Sequence, residues 1–294
     1  MGALPSVSVC IPAYQAESHL AATLRTVLAQ TYPNLEVVVL DNACTDGTAE
    51  VLAGFTDVRL RVERNLQVLP LAENWNRLLD LATGDLVKVV CADDLVHPDI
   101  VARQVELFVE NPGLALVSCR RHLISEGGRL VAMARGLTGL LGPHVGRDAV
   151  RRVVRNGGNP IGEPASVMFR RVDFVAVGGF DAALCFPMDL DLWVRLLRLG
   201  DFYGMPEALA AFRAGSASLS SRATSIQYAE QRMLTARIAR DPFWQVGRVS
   251  RLIGRAGGVQ AEAKHRILFL ASAWTNRRGA DRPAGSVADL SWLT

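Results

Sequence analysis

Two adjacent carboxylates, Asp93 and Asp94, close an apolar run in the stretch VVCADDLVHP. Like charges side by side at the end of a buried segment repel each other and are costly to desolvate. Either one of them caps or turns the chain ahead of the helix that Pro98 opens, or the pair holds something positive. Carboxylate oxygens suit Mg2+ or Mn2+, which proteins bind through one or two acids while water and substrate phosphates fill the remaining positions. Asp41 ends the run LEVVVLDN. Its carboxylate suits a nucleobase N–H or a ribose hydroxyl, or a plain Asx-turn. Asp189 and Asp191 begin DLDLWVRLL. Two residues apart on a helix they diverge, so one can be a general base and the other a charge favoured by the helix dipole; a cap accounts for either.

The elements that must position these acids alternate in type. SVSVCIPAY alternates like a strand, and Leu20, Leu24, Val27 and Leu28 share a helical face that TYPN ends. LEVVVLDN and DLVKVVC read as strands buried on both faces, VRLRV as a weaker one. Trp75, Leu78, Leu79 and Ala82 suit a helix that Gly84 closes, and Val101, Val105 and Phe108 one that NPG ends. Strands separated by helices predict an α/β fold with a mostly parallel sheet covered on both faces. Ligands bind such sheets beyond the carboxyl ends of the strands, where Asp41 and the Asp93–Asp94 pair both fall. Further on, HLISEGGRLVAM reads as a hairpin, GRDAVRRVVRN as a helix, PASVMFRR as a strand and EALAAFR as a short strand. After Ser221 the pattern is helical, with arginine-rich faces and a loose tail at RRGADRPAGS.

Several classes fall away. The 294 residues are 50% hydrophobic and 21% charged, an ordinary globular composition. No run approaches a membrane span, and the first residues lack a signal-peptide pattern. Five scattered cysteines without a C-x-x-C pair predict a reducing, cytoplasmic setting and no structural zinc. Glycine-rich dinucleotide and P-loop motifs are absent, as are H-E-x-x-H and G-x-S-x-G. The net charge of +3 is uneven: residues 225–294 hold 11 Lys/Arg against 5 Asp/Glu, a net of +6. That segment reads as a solvated face or as a contact for an anionic surface.

SVCIPAY, LEVVVLDNACTDGT, CADD and MDLDLWVRL occur in one order over residues 6–221, a combination that resembles the family 2 glycosyltransferases with the GT-A fold. The resemblance implies a GT-A domain over 1–224, its nucleotide-binding part about 1–119 and its acceptor part about 120–224, followed by a helical basic extension over 225–294. It implies inverting transfer of a sugar from a nucleoside diphosphate to an acceptor hydroxyl on a glycan, a lipid carrier or a small molecule. Pro12 and Tyr14 would shape the nucleoside pocket, Asp41 would bond the base and Asp93 would approach the ribose or diphosphate. Asp94 would be the main ligand of a divalent metal, Mn2+ or Mg2+, and Asp189 the general base. Glu163 and Trp193 fall on the acceptor side, though Trp193 lies on an apolar stripe and leans to the core. Arg213 and Ser218 would contact the diphosphate or acceptor.

Three positions depart from the family pattern: Cys91 where an acid is usual, Met188 before Asp189 in place of Glu, and Gly215 in place of His. A third protein ligand to the metal must therefore come from elsewhere or be water. No nucleic-acid partner is expected, and the basic extension allows peripheral contact with the inner face of a membrane. Two competing readings are a non-catalytic nucleotide-sugar-binding or scaffold protein and, on a related fold, a sugar-1-phosphate nucleotidyltransferase. Retained Asp41, Asp94 and Asp189 oppose the first; the second lacks its glycine-rich loop.

Overall fold

Seven consecutive buried residues, Val7–Ala13, make the first strand, β1. In the computed structural model, which describes residues 4–214, 225–258 and 291–293, β1 lies inside a ten-stranded sheet. The other strands are β2 (Leu35–Asp41), β3 (Leu60–Arg64), β4 (Leu86–Val89), β5 (Leu95–Val96), β6 (Leu114–Ser125), β7 (Leu130–Arg135), β8 (Gly142–His144), β9 (Val167–Arg170) and β10 (Asp201–Ala214). The order is β3-β2-β1-β4-β9-β6-β10-β5, with β7 on β6 and β8 on β10. β3, β2, β1 and β4 are parallel, β9 runs against both β4 and β6, and β10 is parallel to β6. The long strands thus share one direction and the short β9 reverses it. The α/β sheet expected from the sequence is present, with β9 inserted antiparallel and β5, β7 and β8 also antiparallel to the strands they pair with.

Helices cover both faces, as the apolar-on-both-sides strands require. α1 (Leu20–Leu28), α2 (Thr48–Ala53) and α4 (Ile100–Glu110) pack on one face, where Leu24, Leu52 and Val105 belong to one apolar core with Val37 and Val39 of β2. On the other face lie α3 (Leu71–Asp80), α5 (Gly146–Asn156), α6 (Arg171–Ala176), α7 (Met188–Leu196) and α8 (Ser225–Arg240), over Val38 and Leu40. α8 is no loose appendage: its Leu234, Ile238 and Ala239 share that core with Trp193 and Val150. A ninth helix, α9, follows over residues 248–258. The boundary at residue 224, Gly215, Ser218 and the tail RRGADRPAGS lie outside the described residues.

β6 and β10 are longer than their sequences suggest. Arg120, Arg121 and His122 interrupt the apolar run of β6, yet the strand continues through them. In β10 the register against β6 slips between Met205 and Ala208, so Pro206 and Glu207 bulge out of the ladder. A bulge is where a strand accommodates a residue without an amide donor. Lys88 of β4 is fully buried; its Nζ donates to Gln104 Oε1 at 3.0 Å and to the Val167 carbonyl at 3.3 Å. Burial lowers its pKa to about 7.

Candidate active site

The carboxyl edge of the parallel strands gathers the residues that can do chemistry. β2 ends at Asp41, β1 leads into Tyr14, and β4 leads into the Cys91–Asp94 turn. Two non-glycine residues take left-handed backbone in the loops at this edge, Gln15 (φ 48°) and Ala43 (φ 53°). Such strain persists where the surroundings enforce it, and it concentrates at functional sites.

Asp41 is buried, with both carboxylate oxygens engaged: Oδ1 accepts from the Cys44 amide at 2.8 Å and Oδ2 from Arg64 Nη1 at 2.6 Å. Arg64, half exposed, lies over Asp41 and pairs with it. Tyr14 is 57% exposed and open to a ligand. Pro12 is buried in β1, past Cys10, the last residue paired with β4. It is part of the strand, paired with Leu40 of β2. Behind Asp41 a network of buried amides fixes the floor, with Asn65 Nδ2 donating to Asn42 Oδ1 at 2.7 Å and to Asn74 Oδ1 at 2.8 Å.

The Cys91–Asp94 turn carries the negative charge. Asp94 is fully buried; its Oδ1 accepts from the Arg213 backbone amide at 3.0 Å, and its Oδ2 has no hydrogen-bond partner. Burial first, then Asp93 beside it, hold its carboxyl far above the usual range. Asp93 is partly exposed, and burial raises its pKa too. Cys91 Sγ and a carboxylate oxygen from each acid lie within 4.8 Å of one another, so Cys91, given no role by the sequence, stands in the same cluster. Two crowded carboxylates with an orphaned buried oxygen fit a divalent cation, and their hard oxygens suit Mg2+ or Mn2+ better than the thiol does.

Arg213 sits beside the acidic turn. It is buried, and its guanidinium spans backbone carbonyls: Nε donates to Asp93 O at 2.8 Å and Nη1 to Glu126 O at 2.8 Å. It clamps the acidic turn to β10 and supplies positive charge beside Asp93 and Asp94.

The other wall comes from the loop between α5 and β9 and from the start of α7. Asp189, in the first turn of α7, is partly buried. Its Oδ2 accepts from Asn159 Nδ2 at 2.9 Å and its Oδ1 from the Leu190 amide at 2.7 Å. Burial lifts its pKa from 3.8 to about 6, against the lowering pull of the hydrogen bonds and of Arg121. Asp191 points away into ion pairs with Arg195 (2.7 Å) and Arg237 (2.5 Å), so only Asp189 faces the site. Trp193 is fully buried against Phe169, and its indole N–H donates to the Gly162 carbonyl at 3.1 Å. It holds the loop at Gly162 from behind and is closed off from the surface.

Glu163 pairs with a residue the sequence reading missed, Arg121 of β6, whose Nη2 donates to Oε1 at 2.8 Å. Arg121 Nη1 is buried without a hydrogen-bond partner. The guanidinium lies within electrostatic reach of both Asp94 and Asp189, and burial lowers its pKa to about 10. It is thus a fixed cation near both the acidic turn and Asp189. Its one sequence signal is the charged pair in CRRHL inside an apolar run; for Arg64 it is the RN that ends VRLRVERN.

The family model described as Glycosyl transferase family 2 matches residues 8–176. The chain is 31% identical over 229 residues to the uncharacterized protein MT1568 of Mycobacterium tuberculosis, covering 75% of this chain and 70% of that one. It is 28% identical over 229 residues to the putative glycosyltransferase EpsE of Bacillus subtilis, covering 76% and 78%. A shorter match, 30% over 105 residues, covers 36% of this chain and 42% of WfgD from Escherichia coli, a UDP-Glc:alpha-D-GlcNAc-diphosphoundecaprenol beta-1,3-glucosyltransferase. Among solved structures, S. aureus TarS 1-349 in complex with UDP-GlcNAc superposes with a TM-score of 0.64 at 16% identity, over 80% of this chain and 67% of that one. The mannosyltransferase PcManGT from Pyrobaculum calidifontis, in complex with GDP-Man and Mn2+, gives 0.59 at 18% identity over 95% and 89%. These two likenesses speak for the fold.

Proposed function

The chain belongs to glycosyl transferase family 2 and is a glycosyltransferase, and from that premise we propose that it inverts the anomeric centre of a nucleoside-diphosphate sugar, with Asp189 as general base. The observation that carries the reading is the placement of Asp189. Its carboxylate is aimed by Asn159, poised near pH 6, and set across from the Asp93–Asp94 turn with Arg121 near both. A base tuned close to the working pH removes an acceptor hydroxyl proton as the new bond forms, an effect of roughly 10²–10⁴-fold. In-line displacement needs base and leaving group on opposite sides of the anomeric carbon, and the two walls come from different halves of the chain.

Asp93 and Asp94 would hold a divalent cation, which when bound supplies Lewis-acid neutralisation of the departing diphosphate. The Mn2+ reported with PcManGT supports this reading by analogy of fold. Tyr14 and the Asp41–Arg64 pair would receive the nucleoside, Arg64 supplying donors to a base carbonyl. Arg121, kept in place by Glu163, would steady the negative charge that grows on the leaving group. The acceptor is read as a hydroxyl on a lipid-linked glycan, supported by the substrate in WfgD's name.

Incubating the chain with a panel of nucleotide sugars, with and without Mn2+, and following the melting temperature identifies the donor. A stabilisation that requires both sugar nucleotide and Mn2+ is expected. A chain that binds a donor yet never turns it over with any lipid-linked or soluble glycan acceptor would favour the non-catalytic scaffold and overturn the proposal.

A further inference from the structure

Helix α9 presents its apolar residues to solvent and its glycines to the protein, the reverse of an ordinary surface helix. Val249 is 69% exposed, Leu252 64% and Ile253 38%, and Ala256 is exposed as well. At spacings i, i+3, i+4 and i+7 these four make one stripe. The opposite face is fixed by contacts too close for a side chain: a Cβ on Gly254 would lie 2.1 Å from the Val154 carbonyl oxygen, and one on Gly257 2.6 Å from that of Asn156. The backbone of α9 is thus pressed onto the carboxyl end of α5, and the stripe has no way to turn inward.

Charge lies beside the stripe and behind it: Arg248 and Arg255 fall about 90–110° from its centre at 100° per residue, and Arg251 on the glycine side. α9 carries Arg248, Arg251 and Arg255 and no acid. Arg251 and Arg255 join Arg232 and Arg240 of α8 around a cavity of about 170 Å³. We propose that α9 is an interfacial helix that seats the protein on an anionic lipid bilayer, the apolar stripe entering the acyl boundary and the arginines taking lipid phosphates. An exposed apolar stripe flanked by arginines is the composition that lies in a membrane interface. A second copy fits less well, because an isologous contact would set one row of arginines against its own image. Residues 259–290 fit less well too, since 5 Lys/Arg against 3 Asp/Glu leave them net positive.

The placement orients the site. α9 rests on Gly157, where a Cβ would come within 2.2 Å of the Gly258 amide nitrogen, and Gly157 is two residues from Asn159, which holds Asp189. The bilayer then lies on the acceptor side of the cleft, where a lipid-borne hydroxyl would arrive; this orientation rests on reading Asp189 as the acceptor's base.

The test is co-sedimentation of the full chain with phosphatidylcholine vesicles, with and without phosphatidylglycerol. Binding is expected only to the anionic vesicles and falls with salt. Leu252→Glu, and separately Arg248→Glu with Arg255→Glu, should each weaken it by about tenfold or more, the loss expected for one buried leucine or two headgroup charges. Melting temperature and donor hydrolysis in solution should not change. Absent binding, or variants that bind like wild type, overturns the proposal. So does a variant that instead shifts the oligomeric state or the melting temperature, since the stripe is then covered by a second copy or by residues 259–290. Vesicle binding that persists while donor hydrolysis is absent supports the interfacial helix and counts against the transferase reading alone.

Discussion

Replacing Asp189 by Asn should cripple catalysis and stabilise the protein at once, with the stabilisation dependent on pH. The carboxyl moves from 3.8 to about 6 on folding, mainly through burial. At 1.36 kcal/mol per tenfold change in proton affinity, that is about 3 kcal/mol against the ionised folded state. Because Asp189 is partly exposed, solvent screening leaves about 1–2 kcal/mol. The sign follows from linkage: a carboxyl whose folded pKa is raised favours folding below its unfolded pKa and loses that contribution as pH rises through about 6. Asn carries no charge at any pH. The variant should therefore match wild type near pH 4 and melt higher at pH 8, by about 2–8 °C for a chain of this size. Its kcat should fall by about 10²–10⁴, equivalent to about 3–5 kcal/mol of transition-state stabilisation. Melting curves at pH 4, 6 and 8, paired with single-turnover transfer, read both effects. A variant that keeps a tenth of the activity, or whose melting-temperature difference is the same at all three pH values, would falsify the assignment.

Asp94→Asn should abolish the Mn2+-dependent part of donor stabilisation while leaving the apo melting temperature no lower, since the Arg213 amide still finds an oxygen acceptor; retention of the full Mn2+ effect in a thermal-shift titration would refute it. Arg121→Met should reduce kcat by about 10–100-fold and move the acid limb of the pH–rate profile upward, because Arg121 pulls the Asp189 pKa down. Arg121→Lys should restore the limb more than the rate, as it returns charge without the fork to Glu163. Lys88, with its pKa lowered to about 7, makes wild type gain stability between pH 7 and pH 10, the unfolded chain binding the extra proton there. In Lys88→Met that slope should vanish, as urea midpoints at pH 7 and 9.5 will show.

What the sequence exposed was whatever periodicity and position can carry. Strands buried on both faces announce themselves as apolar runs, so β1, β2 and β4 and the acids after them were readable, and α7 with Asp189 followed from its stripe. Contacts across the sheet were not. β9 slips in antiparallel between β4 and β6 because of packing around Phe169, which no local pattern encodes. Arg213 was assigned to substrate on motif grounds, yet its donors serve backbone carbonyls far away in sequence. Pro12 and Trp193 likewise turned out to be buried parts of the scaffold. Arg121 and Arg64 escaped notice because an arginine in a strand resembles a solvated edge until its partners, Glu163 and Asp41, are seen in space.

The bond from the Arg213 amide to Asp94 joins residues 119 positions apart and closes the acidic turn from outside it. Its consequence is evolutionary. The donor is a backbone amide, so any residue but proline at 213 can serve the carboxylate at 94, and what the bond ties to the turn is the strand β10 itself. Descendants that lose the arginine should keep this bond, and grafts of the turn into another sheet should fail unless the distant strand travels with it.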